Sequence, residues 1–303
     1  NTFVKGKELF KLWEEGSPVS ALNYYPKYEM AVFGNMRGRV LICAGSDSGG
    51  GAGIQADIKT VTALGGFATT AITALTAQNT MGVSSIIEVP INFLLEQIRV
   101  VLSDLGADCI KTGMLHNVQV IEAISEAIEK DGEKKYLVVD PVMVSKGGHE
   151  LLESSALHAL KSYMIGRADL LTPNIPEAEL LTGLEISDID TMRRAAYAIL
   201  EMGSKAVLLK GGHLKDETLT DILVTKDAEK TYSGPRLLTK HTHGTGCSMA
   251  SAVATGIAQG DTLEMAVQRA KAYVFTAIKT APQFGKGHGP LNHAHTVMQN
   301  DQN

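Results

Sequence analysis

The chain has 303 residues, 44% hydrophobic and 20% charged, enough apolar material for one large α/β domain or two small ones. Its 28 Lys+Arg against 33 Asp+Glu give a formal charge of −5, which argues against a nucleic-acid or acidic-membrane partner, because such binders carry clustered positive charge. Three scattered cysteines, Cys43, Cys109 and Cys247, form no CxxC pair and no zinc spacing with histidine, so a reducing compartment is expected rather than a disulfide framework.

Residues 1–39 differ in character from the rest of the chain. Trp13, Tyr24, Tyr25 and Tyr28 sit among Lys and Glu, with Pro18 and Pro26 and an exit through Gly34, Asn35 and Gly38. An N-terminal extension or linker remnant is expected; the alternative is a piece of an upstream domain in a longer fusion. The start, Asn1 to Lys5, lacks a methionine and is not signal-like, which leaves a removed targeting segment open. No apolar run reaches the length of a membrane span.

From Val40 a strand–helix alternation takes over. Val40–Ala44 reads as a strand, Ile54–Leu64 as a helix, and Phe67–Leu75 as a strand rich in β-branched residues. Pro90 suits the first turn of a helix whose apolar face would carry Phe93, Leu94, Ile98, Val101, Leu102 and Leu105. Tyr136–Val139, Leu170–Leu171 and Lys205–Lys210 are buried-strand candidates, with helices at Asp190–Met202 and Leu263–Thr280. This order predicts a central, mainly parallel sheet with helices on both faces, and ligands beyond the carboxyl ends of its strands.

Two glycine loops lie where such ligands would bind. Gly45–Gly53 follows a strand and opens a helix, yet it matches neither the dinucleotide fingerprint nor the P-loop. It reads either as a plain tight turn or as a backbone-lined pocket for a flat ligand, with Asp47 as a polar contact. His241–Cys247 precedes a helix of small residues, Ser248–Ile257. A Gly-Thr-Gly turn there exposes unpaired N–H groups at the positive end of a helix, a site suited to a phosphoryl group. The same field is expected to lower the Cys247 thiol, which could then take a proton from a substrate hydroxyl. The alternative is a small residue filling a helix start. His241/His243 and His293/His295 each form H-x-H, read as ordinary loop histidines, and the methionines as core filling.

Ala44–Asp47 with Gly50–Asp57, Thr73–Asn79, Lys111–Leu115, Asp140–Met143, Thr172–Glu177, Lys210–His213 and His243–Cys247 occur in this order, and Gly287–His293 closes the series. Together they resemble the hydroxymethylpyrimidine/phosphomethylpyrimidine kinases of the ribokinase-like superfamily. The resemblance spans residues 40–296, leaving 1–39 as the extension and 297–303 as a C-terminal tail. Any one motif is weak; the ordered set is specific.

The resemblance implies an ATP- and Mg²⁺-dependent kinase that phosphorylates 4-amino-5-hydroxymethyl-2-methylpyrimidine and then its monophosphate, in thiamine biosynthesis. It implies that Gly244, Thr245 and Gly246 form an anion hole, that Cys247 is the base and that Lys210 pairs with phosphate oxygens. Asn174 and Glu177, one helical turn apart, would hold a hydrated Mg²⁺ and phosphate, with Asp140 adding a contact to the metal. An N-cap Asn followed by a solvent-facing Glu, and a surface lysine at 210, are the plainer readings of the same residues. Gln78 maps onto the pyrimidine contact, and Gly45, Asp47, Ala52, Met114 and Val142 onto positions around the ring. Thr76 stands where some members carry an aliphatic residue. The rivals are a pyridoxal (vitamin B6) kinase of the same superfamily and a non-catalytic ligand sensor. A homodimer and a cytoplasmic location are expected on the same resemblance, an organelle staying open with the N-terminus.

Overall fold

The computed structural model describes residues 36–297, apart from 132–134, 145–147, 149–150, 154 and 215–217. The extension expected at 1–39 therefore falls, through residue 35, outside the described residues, as does residue 298 onward of the tail.

The strands are β1 Arg39–Asp47, β2 Phe67–Asn79, β3 Gly82–Glu88, β4 Cys109–Thr112, β5 Tyr136–Val139, β6 Leu170–Leu171, β7 Ala206–Lys210, β8 Thr218–Thr225 and β9 Glu229–Pro235. They form one sheet in the order β3-β2-β1-β4-β5-β6-β7-β8-β9. Neighbours from β2 to β7 pair in parallel, while β3, β8 and β9 add antiparallel edges. The expected strands appear, β1 and β2 running further than the sequence suggested. The antiparallel edges were not foreseen.

The helices are α1 Gly53–Ala63, α2 Ile91–Asp104, α3 Val118–Lys130, α4 Ala156–Ala159, α5 Ile175–Thr182, α6 Ile189–Glu201, α7 Thr245–Ala258 and α8 Leu263–Lys279. Strand side chains alternate between the two faces, so β1 sends Leu41 and Cys43 to a core shared with α2 through α6. Val40, Ile42 and Ala44 go to the opposite core, under α1, α7 and α8. Each fully buried Leu, Val or Ile among them contributes about 1.5–3 kcal/mol. Only part of the apolar stripe foreseen on α2 packs: Leu94 and Ile98 are buried, while Phe93 is 61% exposed and Leu105 43%. The stripe is wider than the helix face that meets the sheet.

Small residues place α7 centrally. Ser248 through Gly256 are all buried, and a Cβ on Gly256 would stand 2.9 Å from the Ala266 Cβ, so α7 and α8 approach closely. The start of α7 is thereby brought to the carboxyl edge of the parallel strands, beside the start of α1.

Candidate active site

Five parallel strands deliver their side chains to one edge. β1 ends at Asp47, β4 leads to Gly113 and Met114, β5 to Asp140, β6 to Asn174, and β7 ends at Lys210. The backbone ties these ends together: Asp140 N donates to Thr112 O at 3.0 Å and Lys210 N to Pro173 O at 2.9 Å. A cleft of ≈ 780 Å³ opens on this edge. It is lined by Gly45, Asp47, Ala52, Gln78, Met114 and Val142 on one side, and by Asp140, Asn174, Glu177, Lys210 and Gly244–Cys247 on the other. All the residues singled out in the sequence thus meet in one place.

The two glycine loops are packed on each other. Gly244 has φ 85°, and a Cβ there would lie 1.8 Å from Gly51 O; a Cβ on Gly51 would lie 2.4 Å from the His243 ring. Only glycine fits either position. Asp47 organises the first loop: its carboxylate accepts from the N–H of Gly49 at 2.8 Å, Gly51 at 3.1 Å and Ala52 at 2.8 Å. His243 Nε2 stands 2.9 Å from the same carboxylate. Burial works to raise the Asp47 carboxyl, but His243 and the Ala52 and Gly49 N–H groups outweigh it and leave the group below the usual carboxylate range. Asp47 thus holds the loop while lining the cleft. His243, read as a loop histidine, is buried and bridges both loops.

Gln78 faces the same junction. Its side-chain amide lies 3.3 Å from His243 Nε2, and Thr76 Oγ1 donates to its Oε1 at 3.1 Å and to Ser46 O at 2.9 Å. Thr76, noted only as a departure from some relatives, orients Gln78.

On the far wall, Asn174 and Glu177 form a reciprocal cap on α5. Asn174 N donates to Glu177 Oε2 at 2.8 Å and Glu177 N to Asn174 Oδ1 at 2.9 Å. The capping reading of Asn174 holds, yet Glu177 is 6% exposed and does not face solvent. Lys210 is no surface lysine either; its Nζ donates to Asp140 Oδ1 at 3.1 Å, and Thr172 Oγ1 donates to the same oxygen at 3.1 Å. Burial pushes the Glu177 carboxyl up to about 7, with Lys210 pulling it down and Asp140 adding to the rise. Burial also opposes the Lys210 charge, but Asp140 and Glu177 together hold it above its ordinary value.

α7 begins at Gly244 with no side-chain cap; the Thr245 N–H donates to Thr242 O at 3.3 Å, and Gly246 and Cys247 follow in the cleft lining at the helix end that favours an anion. Cys247 departs from expectation. Burial pushes its thiol up to about 12, with Lys111 and the Gly53 N–H pulling it down and Asp57 and Asp140 pushing it up. Desolvation at the cleft floor outweighs the helix field. Lys111 and Asp57, quoted in the sequence without a role, form a buried ion pair beside it.

A parallel sheet whose carboxyl edge holds two ligand walls and an uncapped glycine-led helix between them is the ribokinase-like arrangement, and this chain has that fold. Bacillus subtilis pyridoxal kinase, in an ADP complex, matches it with a TM-score of 0.80 at 32% identity over 87% of this chain and 100% of that one. The chain belongs to the phosphomethylpyrimidine kinase family, whose sequence model matches residues 47–292. It is a phosphotransferase. The hydroxymethylpyrimidine/phosphomethylpyrimidine kinase of Bacillus subtilis is 44% identical over 256 residues, 84% of this chain and 94% of that protein. The thiamine biosynthesis bifunctional protein ThiED of Geobacter sulfurreducens is 52% identical over 257 residues, 85% of this chain and 52% of that protein. The chain spans about half the length of that bifunctional relative. Among the described residues, no helix is long and apolar enough to cross a membrane.

Proposed function

We propose that the chain transfers the γ-phosphoryl group of ATP to the hydroxymethyl oxygen of 4-amino-5-hydroxymethyl-2-methylpyrimidine, and then phosphorylates the monophosphate, as a step of thiamine biosynthesis. The observation that carries this reading is that Gln78 and the uncapped start of α7, with Cys247, line the same cleft. The flat ring would lie between the first glycine loop, Met114 and Val142, its amino edge on Gln78. To dock there it takes over the partner that Thr76 now supplies. Gly244, Thr245 and Gly246 would face the transferring phosphoryl group, with Lys210 neutralising its oxygens.

The carboxylates suit a hydrated cation. Glu177 already accepts a backbone hydrogen bond from Asn174, so Mg²⁺ would be held at Glu177 and Asp140 through its water shell, where it would supply positive charge beside the phosphates. In the first transfer Cys247 takes the hydroxyl proton. A thiol near 12 is a strong base once ionised but is scarce in that form, which makes the cations around it part of the function. The second transfer starts from an anionic phosphate and needs no such base. A homodimer in the cytoplasm belongs to the same reading.

The likeness to a pyridoxal kinase supports a second reading, because pyridoxal also presents a flat heterocycle with a hydroxymethyl arm. Product analysis with the pyrimidine alcohol, its monophosphate and pyridoxal under identical ATP and Mg²⁺ separates the two. Turnover of pyridoxal alone overturns the proposal, and no ATP consumption with any of the three points to a non-catalytic sensor.

A further inference from the structure

Lys111 and Asp57 are both 0% exposed at their side chains. The Nζ lies 2.9 Å from each carboxylate oxygen, and Ser251 Oγ donates to Asp57 Oδ1 at 2.7 Å. Such a pair is weak support for stability, since desolvation offsets much of the Coulomb attraction and apolar replacements are often neutral. Its place in the fold calls for another account.

α1 and α7 both start at the cleft. At their first turns Gly53 and Cys247 both line the cleft. One turn further on, Asp57 of α1 accepts from Ser251 of α7. Gly53 to Asp57 and Cys247 to Ser251 are each four residues, so the Ser251–Asp57 bond lies one helical turn from Gly53 and Cys247 on the same helix faces. Lys111 of β4 pairs with this Asp57 and lines the cleft with Cys247. Its ammonium is closely enclosed, for a Cβ on Gly113 would stand 3.1 Å from Nζ.

The charged groups around the thiol come from four elements: Lys111 from β4, Asp57 from α1, Asp140 after β5 and Lys210 from β7. Of these, Lys111 most strongly opposes the effect of burial. Burial also disfavours the Lys111 charge itself, and Asp57, Cys247 and Asp140 together more than compensate, so it stays cationic.

We propose that Lys111 is a positioning residue for Cys247: clamped by Asp57 and Ser251, its ammonium is the fixed counter-charge that admits a thiolate at the start of α7. Its catalytic consequence rests on the reading of Cys247 as the base, whereas its effect on the thiol does not.

The test is alkylation of Cys247 by iodoacetamide in the full chain, followed from about pH 7 to about pH 10 by mass spectrometry of the modified peptide. Cys43 and Cys109 are buried and leave the reading clean. Lys111→Met/Asp57→Leu removes both charges while keeping an apolar filling, and its fold is checked by thermal melting. Its alkylation is expected to slow about tenfold or more, with the profile displaced upward by about one pH unit or more. Asp57→Asn, which leaves Lys111 without its carboxylate, is expected to speed alkylation, an opposite sign that a purely structural role would not produce. Ser251→Ala, which cuts the Ser251–Asp57 bond without touching a charge, serves as the control for loosened packing. A folded Asp57→Asn or double variant with the wild-type profile overturns the inference; if Asp57→Asn does not fold, the double variant decides. Full turnover by Cys247→Ala would remove the base role and leave the alkylation result standing, so the two failures are distinct.

Discussion

His243 Nε2 lies 2.9 Å from Asp47 Oδ2, a bond between residues 196 positions apart that fastens the loop before α7 to the loop before α1. Both loops line the cleft, and on the proposed function one would face the ring and the other the phosphoryl group, so the bond would fix the distance between them. His243→Ala is expected to cost about 1.5–3 kcal/mol in chemical denaturation, the range for a hydrogen bond to a charged group. It should also lower kcat/KM for the pyrimidine alcohol by about tenfold or more, since misplacement of reacting groups is costly. Unchanged denaturation and kinetics would show the bond to be idle. Asp47 sits below the ordinary carboxylate value of 3.8. Its contribution is therefore present above that pH and lost as pH falls through the lower folded-state value.

This bond also marks where sequence reading stops. The glycine loops, the strand-end Asp140 and Lys210, and the Asn174–Glu177 spacing were legible because each is a local pattern with a local chemical reason. The His243–Asp47 bond and the Lys111–Asp57 pair join distant segments, and nothing beside either residue announces its partner. β4 was hidden by its own lysine, a charge buried within a four-residue strand. β9 escaped because three of its first residues are exposed and polar, which blurs the alternation. The thiol of Cys247 was misjudged for a related reason: helix position can be read from sequence, but the depth of the cleft floor cannot.

Cys247→Ala separates the two phosphoryl transfers. Loss of a general base costs about 10²–10⁴-fold, so turnover of the alcohol should fall in that range. Turnover of the monophosphate, whose nucleophile is already anionic, should fall by less than about tenfold. Steady-state kinetics with each substrate checks this. An unimpaired first step would remove Cys247 from the chemistry.

Thr76→Val keeps the side-chain shape but deletes the hydroxyl that reaches both Ser46 O and Gln78 Oε1. Gln78 would then swing more freely, and KM for the pyrimidine alcohol is expected to rise about three- to tenfold while kcat changes less, the mark of weakened ground-state binding. An equal fall in kcat with KM unchanged would instead place Thr76 in the transfer step.

Glu177→Gln retains the reciprocal cap with Asn174, because glutamine serves in that motif as glutamate does. It removes a charge that burial holds against ionisation, the carboxyl being raised to about 7 from 4.5. Ionisation of Glu177 above that range costs the folded state, so at pH 8 the variant should be as stable as the parent or more so. Its Mg²⁺ requirement should nevertheless rise about tenfold or more, since an amide is a poorer partner for a hydrated cation than a carboxylate. Melting and a Mg²⁺ titration of turnover test the two halves separately. Lost stability with unchanged Mg²⁺ dependence would reduce Glu177 to a capping residue.

His293 gives the fold an acid-sensitive point away from the transfer chemistry. Its Nδ1 lies 2.9 Å from Tyr273 Oη and 3.4 Å from Thr60 Oγ1, while Nε2 is buried without a partner. Burial, with the charges of Lys59 and His295, lowers it from 6.5 to about 4. Between those values the unfolded chain binds the proton that the folded chain refuses, so stability is full above about 6.5 and falls as pH drops toward about 4. The loss at the low end is up to about 3 kcal/mol, at roughly 1.4 kcal/mol for each tenfold difference in proton affinity between the two states. In His293→Phe the neutral ring fills the site and nothing titrates there. Melting of that variant should depend less on pH between about 6.5 and about 4 than melting of the parent. The same acid slope in both proteins would assign the acid sensitivity to other groups.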